Sequence, residues 1–272
     1  MLSKADVEML RTWENVAPLF KTKRSSVAFK DIAFREVYGE LIRQIIRKHL
    51  PREGLVLKTD LWNEGIEVDR NLAAYVSDPS KECRLVAIDV CRYVCESAKQ
   101  LNPGLEIVRA TLLASPFRRK FDFIIDPSTV DHMPERLREV WVSAESRALR
   151  AGGVLLISFD CRVNLFTELY HRLVTRRVYP EWTLAPAQVR AQLVSRHLTV
   201  IREHAVFVAG LFLGTHRPWF PFSPILKTRG MFSFIKRAEL AKRSHILSFL
   251  APQYVIVARR DPIANSSGSN TK

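Results

Sequence analysis

No apolar run in the chain approaches the roughly 18 residues that a bilayer-spanning helix requires. The opening MLSKADVEML mixes acidic, basic and apolar residues instead of following a basic stretch with an apolar one. Neither a membrane span nor a secretory leader is expected, and the sequence reads as cytoplasmic. The four cysteines, Cys83, Cys91, Cys95 and Cys161, form no CxxC pair. That pattern argues against a disulfide framework. With no partner pair of His or Cys at ligand spacing, it also argues against a zinc site, so reduced thiols and no metal are expected. Glycine is sparse, and the turn after the first strand-like run has none before Gly65. Without G-x-G-x-x-G a pyrophosphate has no cradle, which disfavours a dinucleotide. Acids are the scarcer charge: 42 Lys and Arg against 28 Asp and Glu leave a net +14. Such a surplus suits anionic partners, although a basic surface also serves solubility.

What is present is a chain with 47% hydrophobic residues, enough for a real core. In FREVYGELIRQIIRKHL, Phe34, Val37, Leu41, Ile45 and Ile46 recur at helical spacing opposite Arg and Lys, and Pro51 ends the pattern. This amphipathic helix is expected to pack on a sheet, and residues 1–50 form an N-terminal helical cap. From Gly54 short apolar runs alternate with helical segments. GLVLKTD, RLVAIDV, LEIVRAT, FDFIID and GGVLLISFD are strand-like and nearly continuous in apolar residues, as strands buried on both faces must be. CRYVCESAKQL and PERLREVWVSAESRALR are helical. The alternation specifies an α/β doubly wound sheet. Beyond Asp160 come a basic helix, NLFTELYHRLVTRR, a further helix, PAQVRAQLVSRH, and strand-like runs in HLTVIREHAVFVAGLFL and QYVIVARR. A Pro- and Phe-rich insertion occupies about 215–252. The main domain is expected over 51–262, and the small, polar residues 263–272 should be a disordered tail.

In open parallel sheets ligands bind beyond the carboxyl ends of the strands, so the residues that follow each strand carry the chemistry. After the first run, Asp60 and Glu64 offer carboxylates to a cationic group such as an α-ammonium. After the second, Asp89 can accept hydrogen bonds from both hydroxyls of a ribose. Arg109-Ala110-Thr111-Leu112 follows the third. The fourth ends in DPSTVDH, which crowds Asp126, Ser128, Thr129, Asp131 and His132 into one polar turn. So many polar groups at the end of a buried strand point to a site.

The ordered series LKTDLWNEG, LVAIDVCRYVCESA, FDFIIDPSTVDH and LRAGGVLLISFD resembles the motifs of class I S-adenosylmethionine-dependent methyltransferases. It is closest to a bacterial subset with K-T-D-L-x-x-E in place of the glycine-rich loop. The resemblance covers roughly residues 54–160. It implies a Rossmann-like, mostly parallel seven-stranded sheet with N-terminal helices and a helical, aromatic insertion near the C-terminus, and S-adenosylmethionine as cofactor. On the matching positions, Lys58, Thr59, Asp60 and Glu64 would surround the methionine part. Asp89 would hold the ribose, with Val90 against the adenine. Thr111, followed by Leu112, stands where the family often has an acid for the adenine amino group. Asp126 and Ser128 would face the sulfonium.

Methyl transfer chiefly needs the acceptor aligned and, where required, its proton removed. His132 and Asp131 are the base-like pair beside this turn. The acceptor is left open. Residues 206–260 hold nine Lys or Arg against one acid, Glu239, interleaved with Phe207, Phe212, Trp219, Phe220, Phe222, Phe232, Phe234 and Phe249. That mixture fits a cap over a small-molecule acceptor, an anionic or lipid-linked acceptor with peripheral contact at the inner face of a membrane, or nucleic acid. Two rivals stand beside the enzyme: a catalytically inactive interaction module and a nicotinamide-dependent oxidoreductase. The oligomeric state is not legible.

Overall fold

The computed structural model describes residues 11–18, 34–66, 72–76, 82–114, 117–161, 182–206, 237 and 253–262. The expected basic helix NLFTELYHRLVTRR, nearly all of the 215–252 insertion and the 263–272 tail lie outside these residues.

Seven strands form one sheet: β1 (Glu53–Thr59), β2 (Glu82–Asp89), β3 (Glu106–Arg109), β4 (Phe121–Pro127), β5 (Leu149–Asp160), β6 (Leu198–Val206) and β7 (Gln253–Arg260). Their order is β3-β2-β1-β4-β5-β7-β6. The pairs from β3 through β5 are parallel, while β7 runs antiparallel to both β5 and β6. This is the doubly wound, mostly parallel, seven-stranded architecture that the sequence implies. The order turns outward on either side of β1 and β4, which opens a crevice at their carboxyl ends.

The strands alternate in what they bury. Val56, Phe123, Ile125, Val154, Leu156, Val255 and Val257 pack on helix α1 (Glu40–His49) through its Leu41, Ile42, Ile45 and Ile46. Leu57, Ile124, Leu155, Ile157, Ile256 and Ala258 face the opposite way, onto α4 (Glu135–Ala148) and α5 (Pro186–Val194). Both faces are covered, so the strands are apolar at nearly every position. Six π-helical residues, Phe34–Gly39, lead into α1, which stops ahead of Pro51. The one-turn α2 (Trp62–Gly65) leads away from β1 and packs on α3 (Arg92–Leu101). Gly65 permits that approach: a Cβ there would stand 2.7 Å from the Val94 carbonyl oxygen.

One boundary differs from the sequence pattern. The helical pattern runs through Arg150, yet α4 ends at Ala148 and Leu149 already pairs with Phe121. The carbonyls of Arg147 and Ala148 accept from the backbone N–H groups of Arg119 and Lys120, on the segment entering β4. Those bonds draw the chain out of the helix early. Among the described residues, no helix is long and apolar enough to cross a membrane.

Candidate active site at the carboxyl ends of β1, β2 and β4

The turn after β1 shows how the chain manages without closely spaced glycines. Asp60 takes the left-handed conformation, φ 62°, a region that Asp tolerates better than most residues. Its Oδ1 accepts from Trp62 N at 2.8 Å, which starts α2. Beneath this turn Lys58 and Glu64 form an ion pair of 2.8 Å, each side chain 0% exposed. Lys58 Nζ also donates to the Asp60 carbonyl. Glu64 Oε1 accepts from Leu72 N and Ala73 N at 2.9 and 3.0 Å. The sequence places Lys58 and Glu64 around the cofactor's methionine; the structure makes them the floor of the loop. The reason is stereochemical: the last β1 side chains sit inside the sheet, and one short helical turn brings Glu64 back over Lys58.

Thr59 is likewise buried. Its hydroxyl donates to the Ile125 carbonyl at 3.4 Å and lies 3.3 Å from Thr129 Oγ1, tying the end of β1 to the turn after β4.

Asp89, at the end of β2, accepts from Leu61 N and Cys91 N, both at 2.8 Å. It therefore joins the β1 turn to the start of α3 and stands beside Asp60. Burial raises the Asp60 carboxyl well above the usual range; Lys58 opposes the shift and Asp89 adds to it. Burial also raises Asp89, against the pull of the Cys91 and Leu61 N–H groups. Lys58, the nearby cation, is committed to Glu64. The donor set thus suits a positively charged ligand and repels phosphate. Each carboxylate oxygen has a second lone pair to offer, so Asp89 can serve a ribose while holding its backbone partners. Both carboxylates are only partly buried, and S-adenosylmethionine, cationic at sulfur and at its α-amino group, fits them.

The remaining expected residues are placed as follows. Val90 is partly exposed, and its carbonyl accepts from Arg109 Nε at 3.2 Å. Thr111 Oγ1 accepts from Leu113 N at 3.2 Å, starting a short 3₁₀ turn in which Leu112 is buried. Ser128 is left-handed, φ 63°, and partly exposed at the rim. Its N–H donates to Ser158 O at 3.0 Å, and its Oγ accepts from Gln253 Nε2 at 3.4 Å.

Two acids do not face the crevice as expected. Asp126 is wholly buried and directed at α4, accepting from Trp141 Nε1 at 2.8 Å and from Thr129 N at 3.1 Å. Asp131 is also buried, and its Oδ2 accepts from Asp160 N at 2.8 Å, which fixes the end of β5. Its Oδ1 lies 4.0 Å from His132 Nε2, beyond hydrogen-bond length. His132 itself is about a quarter exposed at the rim.

Residues 11–18 are helical and bring two side chains that the sequence did not single out. The Trp13 ring sits 4.7 Å from His132 and 5.8 Å from Trp62, edge-on to both. Glu14 accepts from Arg92 N at 2.7 Å and from Arg109 Nη2 at 2.9 Å, so it caps α3. Burial tends to raise the Glu14 carboxyl, but the Arg92, Cys91 and Tyr93 hydrogen bonds and Arg109 leave it lowered. The helix thus crosses the crevice from the β4 side to the β2 side.

Residues 55–157 match the family described as "Methyltransferase domain". Three solved structures share the fold. The 1,6-didemethyltoxoflavin N1-methyltransferase of Burkholderia thailandensis, bound to 1,6-didemethyltoxoflavin and S-adenosylhomocysteine, is 14% identical, with TM-score 0.54 over 96% of this chain and 92% of that one. The geranyl diphosphate C-methyltransferase of Streptomyces coelicolor A3(2), with S-adenosylhomocysteine, geranyl diphosphate and Mg²⁺, is 10% identical, with TM-score 0.58 over 95% and 98%. The cyclase SpnF is 11% identical, with TM-score 0.59 over 96% and 97%. Among curated proteins no sequence match is found. Residues 55–157 thus form a methyltransferase domain, and the motif order, the sheet topology and the paired carboxylates fit S-adenosylmethionine as its cofactor.

Proposed function

We propose that this methyltransferase modifies a small-molecule acceptor, anionic or lipid-linked, that enters beside the Ser128–His132 turn. The observation that carries the proposal is where two chain segments leave and rejoin the sheet. Val206, at the end of β6, and Asp160, at the end of β5, both pair with Gln253 at the start of β7. Residues 207–252, which hold seven Lys or Arg against one acid together with eight aromatics, are therefore joined at both ends to the rim that carries the crevice. Residues 162–181 leave from Cys161 and return at Trp182, whose N–H donates to Asp131 O at 2.6 Å. Both segments attach where an acceptor must arrive, and their cations suit an anion.

S-adenosylmethionine, when bound, supplies a methyl group already activated on a cationic sulfur. Asp60 and Asp89 hold the positive and hydroxyl-bearing parts of that ligand. Trp13 and Trp62 exclude water from the mouth of the crevice. His132, about a quarter exposed at the rim of the turn, accepts the proton that an O–H or N–H acceptor gives up. Asp131 contributes through the end of β5 and not as a partner of the imidazole. Release of S-adenosylhomocysteine, scored across candidate acceptors in the presence and absence of anionic vesicles, tests the proposal. Turnover confined to small phosphorylated or lipid-linked acceptors is expected. Turnover on RNA, weakening as salt rises, would replace it.

A further inference from the structure

Behind the site lies a carboxyl that methyl transfer does not use. Glu145 sits on α4 one turn after Trp141 and is wholly withdrawn from solvent. The Trp141 indole donates to Asp126, and the Glu145 carboxyl lies against the same Asp126 side chain. Neither Glu145 oxygen has a hydrogen-bond partner, and burial, reinforced by Asp126 and only partly opposed by the nearby Trp141 indole, raises its pKa well above the usual range. The cations on and around α4 are engaged elsewhere. Arg138 donates to the Val130 and Met133 carbonyls, and Arg190 of α5 is held by Glu203. Arg150 of β5 pairs with Asp122, and Arg260 of β7 donates to Ser146 O. Two carboxylates have only acceptors to offer each other; one proton between them turns one into a donor and satisfies both.

We propose that Asp126 and Glu145 share a single proton, and that Glu145, acting through Asp126, is a positioning residue for the Ser128–Thr129 turn. Asp126 Oδ1 holds Thr129 N, and Thr129 Oγ1 meets Thr59 from β1. Loss of the proton places a second buried charge under this turn and loosens its grip. The consequence for activity rests on the methyl-transfer reading of the crevice; the shared proton does not.

The spectroscopic tests use the full chain without ligand. A protonated-carboxyl C=O stretch in the infrared at pH 7, removed in E145Q, is expected. In ¹⁵N-threonine-labelled protein the Thr129 amide should shift as pH rises through loss of that proton, and should stay still in E145Q. S-adenosylmethionine titrations should show wild-type affinity falling relative to E145Q by up to about tenfold per pH unit beyond that point. A spectrum with no band that E145Q removes, or a Thr129 amide indifferent to pH in the wild type, overturns the proposal even if E145Q folds poorly. Failure of the wild type to bind S-adenosylmethionine at neutral pH would instead count against the cofactor assignment, leaving the infrared and amide results to decide the shared proton.

Discussion

Asp60→Asn should make the free protein more stable and the cofactor weaker, and the opposite signs are the diagnostic point. Asparagine keeps a side-chain oxygen for Trp62 N and tolerates the left-handed backbone at φ 62°, so the turn survives. What disappears is one of two neighbouring carboxylates whose ionised forms are disfavoured by burial and by each other. Removing that penalty should leave the Asp60→Asn protein more stable than the wild type at neutral pH. A charge-assisted contact to a cationic ligand contributes about 1.5–3 kcal/mol, which weakens S-adenosylmethionine roughly 10- to 150-fold. The sign with pH follows from linkage. Because the folded-state value lies above the ordinary 3.8, the wild type binds more protons folded than unfolded and loses stability as pH rises from that value toward the raised one. The advantage of Asp60→Asn should therefore be absent near pH 4 and grow toward pH 7. Urea unfolding across that range, paired with calorimetric titration of S-adenosylmethionine, measures both halves. A variant that is less stable by 1 kcal/mol or more yet binds the cofactor normally would reduce Asp60 to a helix cap.

Three further outcomes are expected. His132→Ala should lower turnover about a hundredfold with cofactor affinity little changed, the size typical of a lost general base; a few-fold loss in steady-state assays would remove His132 from the chemistry. Lys58→Met strips the partner from a fully buried Glu64 and should cost about 3–5 kcal/mol in urea unfolding, whereas a Lys58→Met/Glu64→Gln double variant, which removes the orphaned charge but keeps an oxygen for Leu72 N and Ala73 N, should recover part of it. Gly65→Ala forces a Cβ against the Val94 carbonyl and should cost about 1–3 kcal/mol; an unchanged midpoint would mean that α2 and α3 yield more readily than their spacing implies.

The sheet was legible because strands covered on both faces have little freedom in composition: the runs around Val56, Ile88, Ile124 and Leu156 could hardly be anything else. The crevice was legible in outline, since Asp60 and Asp89 stand at strand ends where polarity returns. Direction was not legible. Asp126 and Asp131 occupy the same polar turn as Ser128, yet both turn inward, one to the Trp141 indole and the other to the Asp160 N–H, while Ser128 stays at the rim. Lys58 and Glu64 look like ligands in one dimension because nothing in their spacing shows that a single helical turn folds one over the other. A sequence signal for Glu145 did exist: it lies four residues beyond Trp141 on a helix whose Leu137, Trp141, Ala144 and Ala148 are buried, and an acid on such a face calls for a partner. Trp13 and Glu14 had no comparable signal, because their partners lie after β1, β2 and β4, far along the chain.

The placement of β7 has a consequence for how the molecule is made. Synthesis completes β5 at Asp160, but the strand that covers its outer edge begins only at Gln253, and β6 must wait for the same neighbour. Until Gln253–Arg260 emerges, the nascent chain carries β5 and β6 with unpaired backbone groups and no shared ladder, the condition under which partly folded chains stick to one another. The slow step in biogenesis is then insertion of one strand between two already waiting, and substitutions in β7 should depress soluble yield in growing cells more than they depress the unfolding midpoint of molecules that have matured.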